Sequence, residues 1–248
     1  MLAIYKKELR SYFVNPIGYI FAGIFLVFSA IVFSYTTFLS RSYDTSIYFT
    51  VMVFAFIILM PLLTMRLFSE EKKMRTEQLL LTSPVSIAGM VMGKFLASFT
   101  VFLGCVAASC INFIPLYAIA SAERGQLSYD TTYIGPVTPQ IVGSLVGLVL
   151  IGAAFIAIGT LVSALSENQL AAAVVTIATL LAFVGIGLFS SLVDVYFVRV
   201  ALGWVSILGR FSYFTAGIFD IGSLIYYLSL TALFLFLTAR VFEKRRWS

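Results

Sequence analysis

Six stretches of about 20 or more mainly apolar residues decide what this chain can fold into: Ile17 to Leu39, Tyr48 to Phe68, Ile87 to Ala120, Gln140 to Leu165, Leu170 to Leu192 and Gly222 to Phe242. A helix needs about 20 such residues to cross the roughly 30 Å of hydrocarbon in a bilayer, and only a helix or a closed barrel satisfies its own backbone there. Six spanning helices are therefore predicted. Charged residues make up 11% of the 248 positions, against roughly 25% in soluble domains, so no stretch remains for a water-soluble domain. The fold class is an all-α membrane protein, one domain over 1–248. The first run is longer than a signal-peptide core and no small-residue cleavage site follows it, so it is expected to stay as a permanent span.

Lys and Arg are distributed unevenly between the two sets of run ends. One set holds Lys6, Lys7, Arg10, Arg66, Lys72, Lys73, Arg75, Lys94, Arg240, Lys244, Arg245 and Arg246; the other holds Arg41, Arg124, Arg199 and Arg210. Twelve against four of the 16 basic residues place both termini in the cytoplasm by the positive-inside bias. The net charge of +5 then reflects topology and attraction to anionic lipid, and no nucleic-acid partner is implied.

The polar segments between runs carry the rest of the reading. Leu2, Tyr5, Leu9 and Tyr12 recur at spacings of three and four, with Lys6, Lys7 and Arg10 away from them. This predicts an amphipathic helix over 1–15 lying in the membrane interface, ended by Asn15-Pro16. Between the second and third runs, nine of the thirteen positions from Ser69 to Leu81 are polar. Glu70 and Glu71 would sit in the first turn of a helix there, and Glu71 to Arg75 is an i,i+4 pair in the favourable order. Pro84 ends it, giving a charged helix over 69–83. The third run, as one helix, would be roughly 50 Å long, so it must kink, tilt or protrude, with Asn112 and Pro115 as the expected irregularity. Asn112 itself is expected to make an interhelical hydrogen bond. The piece 193–221 is apolar and aromatic, with Gly203, Gly209 and Gly217 dividing it into two short helical stretches. It reads as a re-entrant or interfacial hairpin, with a seventh full span as the alternative.

Few residues offer chemistry. The chain has no histidine, acidic residues are scarce within the runs, and Cys105 and Cys110 read as buried inert thiols. No catalytic, cofactor-binding or metal-binding constellation is visible, so the chain is not expected to be an enzyme. Gly89-Met-Val-Met-Gly-Lys94-Phe95 is one residue short of a phosphate loop and lacks its hydroxyl. Gly89/Gly93 and Gly143/Gly147 are small-xxx-small pairs that permit close helix approach, by default within one chain. Glu167-Asn168 occupies the short turn between the fourth and fifth runs, where Ser166 or Asn168 is expected to cap the next helix; Glu167 and Asn168 lie on the same side as the charged insert, as a second contact for a cytoplasmic partner.

Glu70-Glu-Lys-Lys-Met-Arg75-Thr-Glu77-Gln78-Leu-Leu-Leu81-Thr-Ser-Pro84 resembles the EEK-x-x-G-T-x-E-L-L-L-x-x-P segment of the permease subunits of type-2 ABC exporters, and the layout of the whole chain is similar to theirs. Arg75 stands where that family usually has glycine, and Gln78 where it usually has glutamate. Tyr5-Lys-Lys-Glu-Leu-Arg-Ser-Tyr-Phe-Val-Asn-Pro-Ile-Gly18 is similar to the opening of the gliding-motility subgroup. The resemblance implies a coupling helix docked on a separate ABC ATPase subunit, through Glu70, Glu71, Lys73, Met74, Arg75, Glu77 and Leu81. It also implies ATP bound by that subunit rather than by this chain, a second permease copy or homologous permease, an extracytoplasmic accessory protein, and residence in the inner membrane of a prokaryote. The rival expectation is a membrane anchor or assembly protein for a cytoplasmic ATPase, without transport.

Overall fold

The computed structural model describes residues 1–74, 86–126, 135–190 and 203–247. Helix α1 (Leu2–Val14) ends at Asn15, whose extended backbone (φ −86°, ψ 149°) turns the chain. Pro16 then opens α2 (Pro16–Phe33), at a position whose missing N–H costs nothing because the first turn has no partner for it. Helix α2 runs on into a π-helical turn, Ser34–Leu39. There follow α3 (Ser46–Thr64), the short α4 (Ser69–Lys73), α5 (Ile87–Ser109) and α6 (Phe113–Gln126). Helices α7 (Thr138–Leu165), α8 (Gln169–Ser190), α9 (Ile207–Thr215) and α10 (Ile221–Trp247) complete the described chain.

Six of these helical segments are long and apolar enough to cross a membrane: Pro16–Leu39, Ser46–Lys73, Ile87–Glu123, Thr138–Leu165, Gln169–Gly187 and Ile221–Arg246. By length and composition the chain is a multi-pass helical membrane protein. The irregularity in the third span falls at Cys110–Asn112, a 3-10 turn between α5 and α6. Asn112 Nδ2 donates to Ser29 Oγ (3.1 Å), which lies 2.8 Å from Tyr48 Oη, so one amide links the third span to the first two. Pro115 is harmless in the first turn of α6.

Helix α7 is the central column. Its most apolar stretch of 18 residues is 72% buried, against 22% for that of α8, and α3, α5, α8, α9 and α10 all pack on it. Glycine makes this closeness possible: a Cβ on Gly147 would stand 2.9 Å from Phe214 Cβ, and one on Gly143 the same distance from the Phe214 carbonyl oxygen. The Gly143/Gly147 pair therefore seats α9 within the same chain, and Gly93 does the same for α1, with Ile4 against it. Along α1, Ile4, Tyr5, Leu9 and Tyr12 pack on the core, while Leu2 is exposed.

The polar ends sort into two groups. Contacts described below gather α1, α4, the start of α5, the α7–α8 turn and the end of α10 at one end; at the other, Tyr43 donates to Glu123 (2.6 Å) and Gln140 to Asp44 (2.8 Å). In a chain freed of Cys105 and Cys110, cysteines at Lys73 and Lys244 are expected to react with an impermeant maleimide from one side of sealed vesicles, and cysteines at Asp44 and Ile218 from the other. Labelling of Lys244 and Asp44 positions from the same side would exclude this arrangement.

Candidate functional site

Beyond Thr64 the apolar pattern of α3 stops and the chain must turn at the bundle end. One hydroxyl on α7 makes the corner: Ser163 Oγ accepts from the N–H groups of Phe68 (3.1 Å) and Ser69 (3.3 Å) and donates to the Met65 carbonyl (3.2 Å). Those N–H groups open α4 and have no partner within it, so Ser163 serves as a cap supplied from another helix. The Ser69 hydroxyl donates back to the Met65 carbonyl.

At the centre lies Lys94, on the second turn of α5 and only 1% exposed. Its ammonium has three N–H donors and three acceptors around it: Glu8 Oε1 on α1 (3.0 Å), Glu71 Oε1 on α4 (2.9 Å) and the Leu67 carbonyl (2.5 Å). The Phe68 ring lies 4.9 Å below the ammonium. Two carboxylates around one ammonium leave an excess negative charge, which Lys7 offsets from 3.9 Å, on the solvent side of Glu71. Arg66 holds Glu70 with two parallel bonds, Nε to Oε2 (2.8 Å) and Nη2 to Oε1 (2.7 Å), the strongest geometry open to that pair. The Tyr12 hydroxyl donates to the Leu63 carbonyl (2.7 Å), fixing α1 across the end of α3.

Two further elements join this base. Lys72 Nζ reaches Glu167 Oε1 at 3.3 Å, tying α4 to the α7–α8 turn. Asn168 Oδ1 accepts from the Leu170 N–H (3.2 Å) and so caps α8. From α10, Phe242 packs on Phe68 at 4.7 Å between ring centres, and Arg245 donates to the Ala164 carbonyl (3.0 Å). A cleft of about 280 Å³ lies between α1 and α4, walled by Lys7, Ser11, Arg66, Glu70 and Met74.

The sequence-predicted residues thus fall into separate roles. Glu70 and Glu71 point into the chain's own ion cluster, and the Glu71 side chain is 15% exposed. Lys73 and Met74 face outward, Met74 with 69% of its surface exposed. Glu167 joins α4 through Lys72, while Asn168 caps its own helix. The helix expected over 69–83 is described as Ser69–Lys73 with Met74 at its C-cap; Arg75, Glu77 and Leu81 lie outside the described residues. The sequence reading assigned no site role to Glu8, Lys94 or Ser163. A lone lysine inside an apolar run was the available signal for Lys94, because a cation in such a place needs a buried counter-charge.

A scan of protein-family models finds none that matches the chain, and a search of curated proteins finds no match. The site is an ion cluster at one end of the bundle. Among the described residues Lys94, Glu8 and Glu71 satisfy one another at the meeting point of α1, α4, α5, α7 and α10, and Lys73 and Met74 at the end of α4 are exposed.

Proposed function

We propose that the chain is the permease subunit of a type-2 ABC exporter in the cytoplasmic membrane of a prokaryote. Both termini and α4 face the cytoplasm, α1 is the interface helix, α4 begins the coupling helix, and the segment 193–221, of which residues 193–202 lie outside the described residues, is re-entrant from the outer face. A separate ATPase subunit binds ATP, and a second permease, identical or homologous, completes the pathway. The observation that carries this reading is the exposed Lys73–Met74 tip on a base where Lys94 pairs with Glu8 and Glu71 inside the chain. A docking element that transmits force needs that combination: a free apolar anchor for the partner and a stiff attachment to the bundle.

In this reading ATP draws two ATPase subunits together and displaces α4. The Glu71–Lys94–Glu8 cluster passes the displacement to α5 and α1, and the Phe68–Phe242 contact passes it to α10. The ATPase must favour one bundle arrangement by its contacts, since a partner of equal affinity for both moves nothing. The test is hydrolysis by the ATPase co-purified with this chain, measured alone and with the chain in proteoliposomes. Transport predicts faster hydrolysis in the reconstituted complex, responsive to candidate amphiphilic cargo. Co-purification with unaltered hydrolysis would identify an anchor instead.

A further inference from the structure

At the end of the bundle away from Lys94, α9 and the start of α10 enclose a groove of about 850 Å³, lined by Trp204, Arg210, Tyr213, Phe219 and Asp220 among others. Helix α9 is seated by Ile207, Phe211 and Phe214, all buried, so that the stripe carrying Arg210 and Tyr213 is left for the groove. Arg210 is fixed in place: its guanidinium lies 4.5 Å from the centre of the Tyr226 ring, and Nε and Nη2 donate to the Trp204 carbonyl at 3.2 Å each. Those bonds use two of the five N–H groups of an arginine. Tyr226 is itself held by its hydroxyl on the Val205 carbonyl (2.7 Å).

Asp220 supplies the opposite charge from the same groove. Its carboxylate accepts from the Ser223 hydroxyl (2.6 Å), the Ser223 N–H (2.8 Å) and the Gly222 N–H (3.3 Å). The Ser223 bonds in particular hold this carboxyl below the usual carboxylate range, so it is ionised at neutral pH. It immediately precedes α10, whose 27 residues at about 1.5 Å each place it roughly 40 Å from the other end of that helix, at the headgroup level of a bilayer. Trp204, Tyr213 and Phe219 are exposed beside it, as side chains of the aromatic belt are.

We propose that this groove binds the headgroup of an aminophospholipid, with the phosphodiester on Arg210 and the primary ammonium on Asp220. Arginine matches phosphate through paired N–H donors, and the aromatic rings receive the glycerol and the first acyl carbons. A headgroup with phosphate but no amine gains only Arg210 and meets the Asp220 charge. A choline headgroup has no N–H to give the carboxylate. The site stands on its own residues, whether or not the chain is an exporter.

Trp204 is the reporter, because the chain has two tryptophans and Trp247 is at the far end of α10. The Trp247→Phe protein in phosphatidylcholine nanodiscs receives rising fractions of brominated phosphatidylethanolamine or brominated phosphatidylglycerol, and quenching of Trp204 is read. Half-quenching is expected at an ethanolamine-lipid fraction about three- to fivefold lower, the range of a partly exposed ion pair. Asp220→Asn retains an acceptor for the α10 cap and should abolish this preference, and Arg210→Gln should weaken both lipids. Equal quenching by both lipids, tighter binding of the glycerol lipid, or an unchanged preference in Asp220→Asn would overturn the proposal. So would full relief of quenching by soluble phosphoethanolamine, which would mark a solute site rather than a lipid site.

Discussion

Replacing Lys94 by methionine is expected to destabilise the fold by about 3–5 kcal/mol, the range seen when one partner of a buried ion cluster is removed. The size follows from what remains. Glu8 and Glu71, with side chains 14% and 15% exposed, would be left facing each other across a methyl group. Two carboxylates in that position lose their counter-ion and repel, and the Leu67 carbonyl loses its donor. Thermal unfolding in detergent should show a fall in Tm of about 6–20 °C for a chain of this length. Removing all three charges, as Lys94→Met with Glu8→Gln and Glu71→Gln, should recover most of the loss, because the main penalty is an uncompensated charge. A single Lys94→Met variant as stable as the parent would show that the ammonium is not the support of this corner.

Met74→Asp is expected to have the largest effect on association with the ATPase and almost none on folding. Met74 is 69% exposed, so a polar replacement there disturbs no core. In the proposed complex it is the apolar anchor that enters the partner's groove. Truncating or charging such an anchor commonly costs about 2 kcal/mol or more, a factor of roughly thirty in Kd. Lys73→Ala, at the exposed rim, should change Kd by less than about fivefold. Titration of purified ATPase onto the detergent-solubilised chain, with circular dichroism as the fold check, separates the two variants.

What the residues disclose in one dimension differs from what only the packing discloses. Apolar length is a local property, so the spans, the break at Asn15-Pro16 and the stress point near Asn112 are all legible from neighbours in sequence. The small residues at 143 and 147 announce close approach, yet nothing near them names Phe214 as the residue that approaches. Glu71 shows the limit best. Its place in a helix first turn, four residues before Arg75, gives a sound local account of its charge. The fold also sets it against Lys94, which is itself 86 residues from its other carboxylate, Glu8. Lys94 read as one more cation in a topological count, since burial and partners are properties of the assembled bundle. Ser163 is the same case: a serine beside a turn is ordinary, and only the α3–α4 corner makes it a cap for two foreign N–H groups.

The central claim is that the tip of α4 touches an ATPase, and the most direct measurement is site-specific photocrosslinking in native membranes. A benzophenone amino acid at Met74 is compared with one at Ile58, which is exposed on the apolar flank of α3. The account predicts that Met74, and not Ile58, forms an adduct whose peptides carry a GxxxxGK[ST] phosphate loop, and that the yield changes when ATP is added. No such adduct at Met74, or the same adduct from Ile58, would contradict it.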